Sequence, residues 1–490
     1  MASARARQTT GERTLLWFRG KDLRVTDHAP LQSALAAGEL IPLFVLDPYF
    51  FAPERAKELP HRMQFLLESL QALQKNIAHL GSELLLAAGK SVEVVPRLAR
   101  ELGATRVVAQ RWTEPFARER DRRVAAALAV PFELFDGETL LPPETIRNGN
   151  GQPFSVFTPF ARAFRRRLPA VRPSPAPRRL PPLPADVQHA SAPLPTLSAL
   201  GIAENPRLQR GGERAAKSRL EAFVSAAAQR YDTQRDRMDL PGTSRLSADL
   251  KFGTLSVQSV WAAVQRLAPS APRAVEVFTS ELLWREFTHA TLWDRPRLLQ
   301  EPFRANFVGF PWVEDDEGWR AWTSGRTGYP IVDAAARQLM SEGFVHNRAR
   351  MIAASFLTKH QLIHYRQGEA HYLKYLTDGD WAQNNAGWQW SAGCGTDAQP
   401  YFRVFNPTLQ GEKFDPSGDY VRRYVPELSR LPAKFIHRPA EAPAPVLAAA
   451  GVTLGVTYPE PIVDHALARD RFLKIAESHL EGRGAGDERG

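Results

Sequence analysis

The sequence predicts an α/β plus all-α chain: an N-terminal parallel-sheet α/β (Rossmann-like) domain, a long connector and a C-terminal helical domain. Three observations predict it. Short apolar runs alternate with amphipathic stretches over the first 140 residues; a proline-rich texture with little periodicity follows to about Pro206; and strand signals nearly vanish from Gly212 onward. The boundaries expected from these changes are 1–140, 141–211 and 212–480, with a polar tail at 481–490.

The elements follow in order. Thr14–Phe18, Leu40–Leu46, Glu83–Ala87, Arg106–Ala109 and Phe132–Phe135 read as buried strands, because each is a short apolar run bounded by polar or turn residues. His61–Leu80, Val92–Leu102 and Pro115–Leu128 carry helical periodicity between them, and such alternation builds a parallel sheet covered by helices. No Gly-x-Gly-x-x-Gly follows the first strand, so the usual dinucleotide phosphate turn is missing there. In the connector one helix is expected near Pro159–Leu168, beside a cluster of Arg162, Arg165, Arg166, Arg167, Arg172, Arg178 and Arg179. That cluster suits a solvated face, acids of a neighbouring domain, or DNA. Beyond it, Ala215–Tyr231, Val257–Leu267, Pro272–Trp293, Trp319–Ser324, Pro330–Glu342, His346–Tyr365, Glu369–Asp378 and Ala466–Leu480 read as helices.

Composition bounds the function. With 43% apolar residues the chain has material for sizeable cores, which excludes a disordered protein. No apolar run approaches the roughly 20 residues of a membrane span. A single cysteine, Cys394, excludes a disulfide framework and a cysteine-built metal site, and no metal site is expected. No apolar signal core follows the N-terminus, so the cytoplasm is the expected compartment. The net charge of +10, made largely of arginine, favours attraction to a polyanion.

Chemistry-bearing residues concentrate in the helical part, where eight of the eleven tryptophans lie between Trp284 and Trp390. Glu281, Trp284 and Arg285 share one helix face at i, i+3, i+4, as do Asn347, Arg350 and Met351. Asp378 to Trp390 crowds acids, amides and tryptophans into thirteen residues. Buried charges are costly unless paired, so inward-facing acids and arginines require each other or a polar ligand. Gly242-Thr-Ser-Arg-Leu-Ser247 offers amide and hydroxyl donors that suit a phosphate, or equally a helix-cap turn.

These segments carry a family resemblance. Trp17-Phe-Arg-Gly-Lys-Asp-Leu-Arg, Gly242–Ser247, Leu283-Trp-Arg-Glu-Phe, Thr327-Gly-Tyr-Pro-Ile-Val-Asp, His346-Asn-Arg-Ala-Arg-Met, Asn384–Trp390 and Gly395-Thr-Asp-Ala-Gln-Pro-Tyr-Phe-Arg-Val-Phe-Asn-Pro resemble the DNA photolyase/cryptochrome family, in order and spacing, from about residue 14 to 436. Within it the chain is most similar to the bacterial class I cyclobutane pyrimidine dimer photolyases. The resemblance implies FAD in the helical domain and light-driven electron transfer from the excited, reduced anionic flavin to a flipped-out dimer in damaged DNA. It implies that Tyr231, Thr243, Ser244, Leu246 and Ser247 cradle the FAD phosphates and ribityl chain, and that Arg285, Asn347, Arg350, Asp378, Asp380 and Asn384 line its rings. It further implies stacking of the dimer on Trp284 and Trp390, contacts from Asn347 and Met351, hydrogen bonding or proton donation by Glu281, and backbone contacts from Arg235, Arg348 and Arg403.

Two relatives in function compete. A cryptochrome-type light sensor commonly has a long C-terminal extension and lacks the amide at the Asn384 position. A (6-4) photoproduct photolyase uses a histidine pair where this sequence has only His346. Both fit less well than dimer repair, and a monomer is expected. A flavin-free basic DNA-binding module would leave the inward-facing acids unexplained. Folate-binding members show an Asn-Glu pair where Phe116-Ala117 stands, so an antenna chromophore here is expected to be a deazaflavin or FMN rather than a folate. For flavin photoreduction, Trp388 and Trp312 match the family's tryptophan chain, but the middle position is Tyr365, leaving either a proton-coupled tyrosine hop or a side route through Trp381.

Overall fold

A computed structural model of the chain describes residues 11–187, 191–397 and 400–481. The N-terminal unit is a five-stranded parallel sheet, formed by β1 (Glu12–Phe18), β2 (Gly38–Leu46), β3 (Leu85–Ala88), β4 (Arg106–Gln110) and β5 (Phe132–Phe135), in the order β3-β2-β1-β4-β5. Alternate side chains feed two cores, as the period of two demands. Leu16, Phe18, Leu40, Phe44 and Val108 pack against α1 (Ala29–Ala37) and α2 (Pro60–His79). Leu15, Trp17, Ile41, Leu43 and Val107 pack against α3 (Ser91–Glu101) and α4 (Pro115–Ala127). The short α1 was not legible, because its Ala-rich run has no polar face and abuts β2 directly. β5, expected to be buried, is an edge strand and half-exposed.

The connector follows the N-terminal unit, burying Leu180, Leu200 and Ile202 in the first of these cores. Its one long helix, α5 (Phe157–Arg167), buries Phe160 and Phe164 and leaves Arg162, Arg165, Arg166 and Arg167 exposed. None of these four arginines forms an ion pair among the described residues, so acids of a neighbouring unit do not account for them.

The helical unit contains α6 (Ser247–Phe252), α7 (Pro272–Asp294), α8 (Asn347–Ser355), α9 (Tyr365–Tyr375), α10 (Trp381–Ala392) and α11 (His465–Glu481), among shorter helices. Two expected helices are broken. The stretch 215–231 passes through π and 3₁₀ turns after Ala222. The stretch 346–365 ends α8 in a π turn, Phe356–His360, and reverses at Leu362, whose φ of 58° no helix accommodates. Tyr365 therefore opens α9 instead of closing α8. The dense segment 381–392, not assigned as a helix from sequence, forms one because the Asp380 carboxylate caps it by accepting from the Gln383 N–H at 3.1 Å. No helix among the described residues is long and apolar enough to cross a membrane. Of the tail expected at 481–490, Glu481 closes α11 and the remainder lies outside the described residues.

Candidate active site

A cavity of about 340 Å³ opens in the helical unit, between α6, α7, α8 and α10. Tyr231, Thr243, Ser244, Leu246, Ser247, Arg285, Asn347, Arg350, Asp378, Asp380 and Asn384 all line it, with Glu281 and Met351. The structure therefore brings the whole expected cofactor set to one place, though its members lie up to 153 residues apart in sequence (Tyr231 to Asn384).

Each wall has a local cause. Arg245, at φ 52°, turns the chain so that Thr243 and Ser244 precede the N-terminus of α6, where amide donors and the helix dipole suit an anion. Arg350 Nη2 donates to Asp378 Oδ2 at 2.8 Å and its Nε to the Val345 carbonyl at 2.8 Å, so the guanidinium is fixed beside the cavity. Asp378 Oδ1 and the Tyr372 hydroxyl are buried without a partner among the described residues, and both residues line the cavity. Asn384 Nδ2 donates to the Glu369 carbonyl at 2.9 Å; this orients the amide and leaves its oxygen as a free acceptor. Gly368 lets α9 approach α10 closely, since a Cβ there would collide with the Trp388 ring.

Neither Trp284 nor Trp390 lines the cavity; each lies one turn from a residue that does, Glu281 and Gly387. Trp284 lies one helical turn from Glu281 and stacks on Phe157 of α5, with ring centroids 3.8 Å apart and planes at 9°. Trp390 follows Gly387 by three residues on α10; both tryptophans are half-buried. Asn347 Nδ2 points at Met351 Sδ, 3.8 Å away.

The arginines expected to meet DNA differ among themselves. Arg235 Nη1 donates to Glu281 Oε1 at 2.5 Å, and Arg348 Nη2 donates to Asp236 at 2.8 Å. Glu281 is thus paired with Arg235 in this arrangement. Arg403 is exposed and forms no ion pair among the described residues.

The electron-path candidates also separate. Trp312 and Tyr365 have ring centroids 6.4 Å apart, but the Tyr365 hydroxyl is buried without a partner, and burial pushes its pKa up. His364 accepts from the Arg366 N–H and offers that hydroxyl nothing. Trp381 packs on Phe116 at 6.0 Å, in the wall of a second cavity. The rings touching Trp388 are Tyr372 at 5.2 Å and Trp322 at 6.0 Å, and Trp322 stacks on the half-buried Trp319 at 5.5 Å.

Between the two units lies a charge cluster that sequence reasoning missed. Lys21, only 4% exposed, contacts Glu114 and Glu138 and donates to Asp380 Oδ2 at 3.0 Å. Burial opposes the Lys21 charge, but the three carboxylates outweigh it and raise its pKa. Burial pushes Glu114 up to about 7, with Lys21 pulling down and Glu138 and Asp380 pushing up. Asp380 ends far below the usual range: burial would raise it, and Lys21 overrides that. Only the fold brings residues 21, 114, 138 and 380 together, so no local signal could have revealed them.

The second cavity, about 630 Å³, lies at the C-terminal ends of β1, β2 and β4. The strand order reverses direction between β1 and β4, and such a crevice is where open parallel sheets bind ligands. Trp17, Trp112, Tyr49, Phe50 and Phe116 line it with Arg19, Arg62, Arg120 and Arg123. Lys251 lines both cavities.

Comparison with known proteins agrees with this arrangement. Residues 14–181 match the family described as DNA photolyase, and residues 278–478 match the FAD binding domain of DNA photolyase. A deoxyribodipyrimidine photo-lyase of Agrobacterium fabrum is 39% identical over 469 residues, covering 94% of this chain and 96% of that protein. A bacterial class III photolyase from Agrobacterium tumefaciens superposes with a TM-score of 0.90 at 38% identity, covering 98% of this chain and all of that one. A Synechocystis cryptochrome superposes with a TM-score of 0.87 at 30% identity, covering 96% of this chain and all of that one. Identity of this extent, over nearly the full length of both chains, means that the protein belongs to the DNA photolyase family.

Proposed function

We propose that the chain is a deoxyribodipyrimidine photo-lyase, repairing cyclobutane pyrimidine dimers in damaged DNA under light. The observation that carries this reading is the convergence of the eleven expected cofactor residues on one cavity, with Trp284 and Trp390 one helical turn from its lining residues Glu281 and Gly387. The cavity fits FAD by its donor set: a helix N-terminus with the hydroxyls of Thr243, Ser244 and Ser247 at one side, and a fixed guanidinium with an oriented amide at the other. Bound there and fully reduced, FAD supplies under illumination the electron that opens the dimer and takes it back.

The protein's own groups do the rest. Ser244, Ser247 and the α6 amides meet the phosphates. Arg350, held by Asp378, stabilises negative charge on the reduced rings. The Asn384 oxygen accepts a hydrogen bond from a protonated ring nitrogen, which a carboxylate would accept only with added charge repulsion. Trp284, backed by Phe157, and Trp390 offer stacking surfaces to a flipped dimer, and Glu281 offers an acceptor to a base edge. Extrusion costs a few kcal/mol, less for a lesion that already pairs badly.

A single His346, flanked by Asn347 and Met351, favours cyclobutane dimers over (6-4) photoproducts. The Asn384 amide favours repair over sensing. The second cavity suits a planar aromatic antenna with an anionic tail, deazaflavin or FMN, because Ala117 supplies no acid for a folate. The test uses lesion-bearing oligothymidine, followed by chromatography under blue light with the reduced protein. Restored thymines are expected for cyclobutane dimers and unchanged lesions for (6-4) photoproducts. Repair of the latter alone, or a protein with no FAD after reconstitution, overturns the reading.

A further inference from the structure

Lys359 has no place in the site described above, yet its surroundings are unusual. It is wholly buried, and no carboxylate pairs with it among the described residues. Its ammonium donates instead to two backbone carbonyls, those of Arg403 at 3.0 Å and Tyr401 at 3.4 Å. An unpaired buried ammonium is costly, and the π turn Phe356–His360 that delivers it departs from regular helix geometry. Two costs at one residue call for a return elsewhere.

The segment it grips starts where the cavity-lining helix α10 ends. It follows α10, which carries Trp390, and Asp397 Oδ2 accepts from the N–H of Phe157, the ring stacked on Trp284. At its far end the segment displays Phe402, 59% exposed, beside the exposed Arg403. Tyr401, Val404 and Phe405 pack on the helical core and the Arg403 N–H donates to the Pro400 carbonyl at 3.0 Å, while the carbonyls of 401 and 403 turn inward to Lys359.

We infer that Lys359 is a positioning residue for lesion recognition: from within the helical unit it fixes the 401–403 main chain, so that Phe402 and Arg403 are presented to the damaged strand. This rests on the photo-lyase reading for the strand's identity, while the grip itself does not. An ammonium suits the task because it can satisfy two converging carbonyls at once, and a hydrogen bond from a charged donor is about twice as strong as a neutral one.

The grip titrates. Burial pushes Lys359 down to about 7, the Cys394 sulfur opposing and the Arg403 guanidinium adding to the fall. Its titratable neighbours are pushed toward their neutral forms. Burial keeps the Cys394 thiol neutral and brings His360 down to about 3; burial and Arg469 lower His465; and the Arg471 guanidinium donates to the His360 carbonyl. Because the folded value lies below the unfolded 10.5, burial of the charged form opposes folding below about pH 7, and that opposition fades as pH rises. The anchor behaves the other way: it is strongest when the amine is charged.

Lys359→Met and Lys359→Arg test this in the full-length FAD-loaded protein. The readouts are the Kd for a dimer-containing duplex from pH 6 to 9, saturated repair per photon, Tm, and trypsin cleavage after Arg403. For the wild type, affinity should fall as pH rises through neutrality. Lys359→Met should bind the lesion roughly tenfold more weakly at pH 6, as expected for losing hydrogen bonds to a charged group. It should show no such pH step, keep its saturated repair and FAD, have a Tm equal to or above wild type, and be cut faster after Arg403. Lys359→Arg should restore affinity without the pH step. Wild-type affinity and cleavage in Lys359→Met overturn the proposal, as does a fall in Tm with loss of FAD, which would make Lys359 scaffolding. If the wild type repairs nothing, the functional reading fails, and the cleavage rate still decides whether the grip exists.

Discussion

Replacing Lys21 with Met removes the cation that contacts all three carboxylates of a buried cluster joining the two units. At 3.0 Å and an effective dielectric of about 20, the Lys21–Asp380 attraction alone is about 5 kcal/mol before desolvation is deducted. Breaking such a buried pair by removing one partner costs about 3–5 kcal/mol, because the surviving charge stays buried. With an unfolding entropy of about 2 cal/mol/K per residue, a chain of 490 residues loses about 1 °C for each kcal/mol, so a Tm fall of about 3–5 °C is expected at pH 8. The sign with pH is fixed. Without Lys21 the carboxyls' folded pKa values rise above their unfolded ones, as that of Glu114 already does from 4.5 to about 7. Stability is then kept below pH 4.5 and lost as pH climbs through the raised values. Differential scanning calorimetry of wild type and Lys21→Met at pH 5 and pH 8 is the assay, with Lys21→Met/Glu114→Gln as the partner that should recover part of the loss. A deficit under about 1 °C at pH 8, or equal deficits at both pH values, refutes the reasoning.

Other outcomes follow from the same geometry. Asn384→Asp should retain FAD but shift the potential of the fully reduced couple to more negative values, measured by spectroelectrochemistry, because a like charge is added beside the reduced ring. Glu281→Ala should lower repair per photon more than it lowers lesion affinity, read by parallel titration and actinometry, and the affinity of all forms should weaken steeply with salt. Trp322→Phe should slow photoreduction of the oxidised flavin several-fold while Tyr365→Phe and Trp381→Phe leave it nearly unchanged. Transient absorption would read these rates, and abolition by Tyr365→Phe would restore the tyrosine relay that its unpartnered hydroxyl argues against. Chromatography of the native chromophores should yield FAD and no near-stoichiometric folate.

Local pattern carried far in this chain. The five strands, most of their helices and the switch to an all-α half are written in hydrophobic period, because strand and helix burial each leave a fixed spacing. The i, i+3, i+4 faces and the 378–390 run marked part of the cavity lining as chemically dense, but it was the family resemblance that implied which residues meet a cofactor. What the sequence left open concerns partners chosen across the fold. The break after Phe356 depends on a π turn and on Leu362 at positive φ, neither of which changes the apolar pattern. Whether Arg235 and Arg348 are free for DNA depends on Glu281 and Asp236, which reach them from other turns of the chain. The Lys21 cluster, the Phe157–Trp284 stack and the Lys359 grip join residues between 42 and 359 positions apart, taken from Lys359–Tyr401 and Lys21–Asp380. Such pairings are set by packing of the units against one another, and only the tertiary structure decides which buried charge meets which.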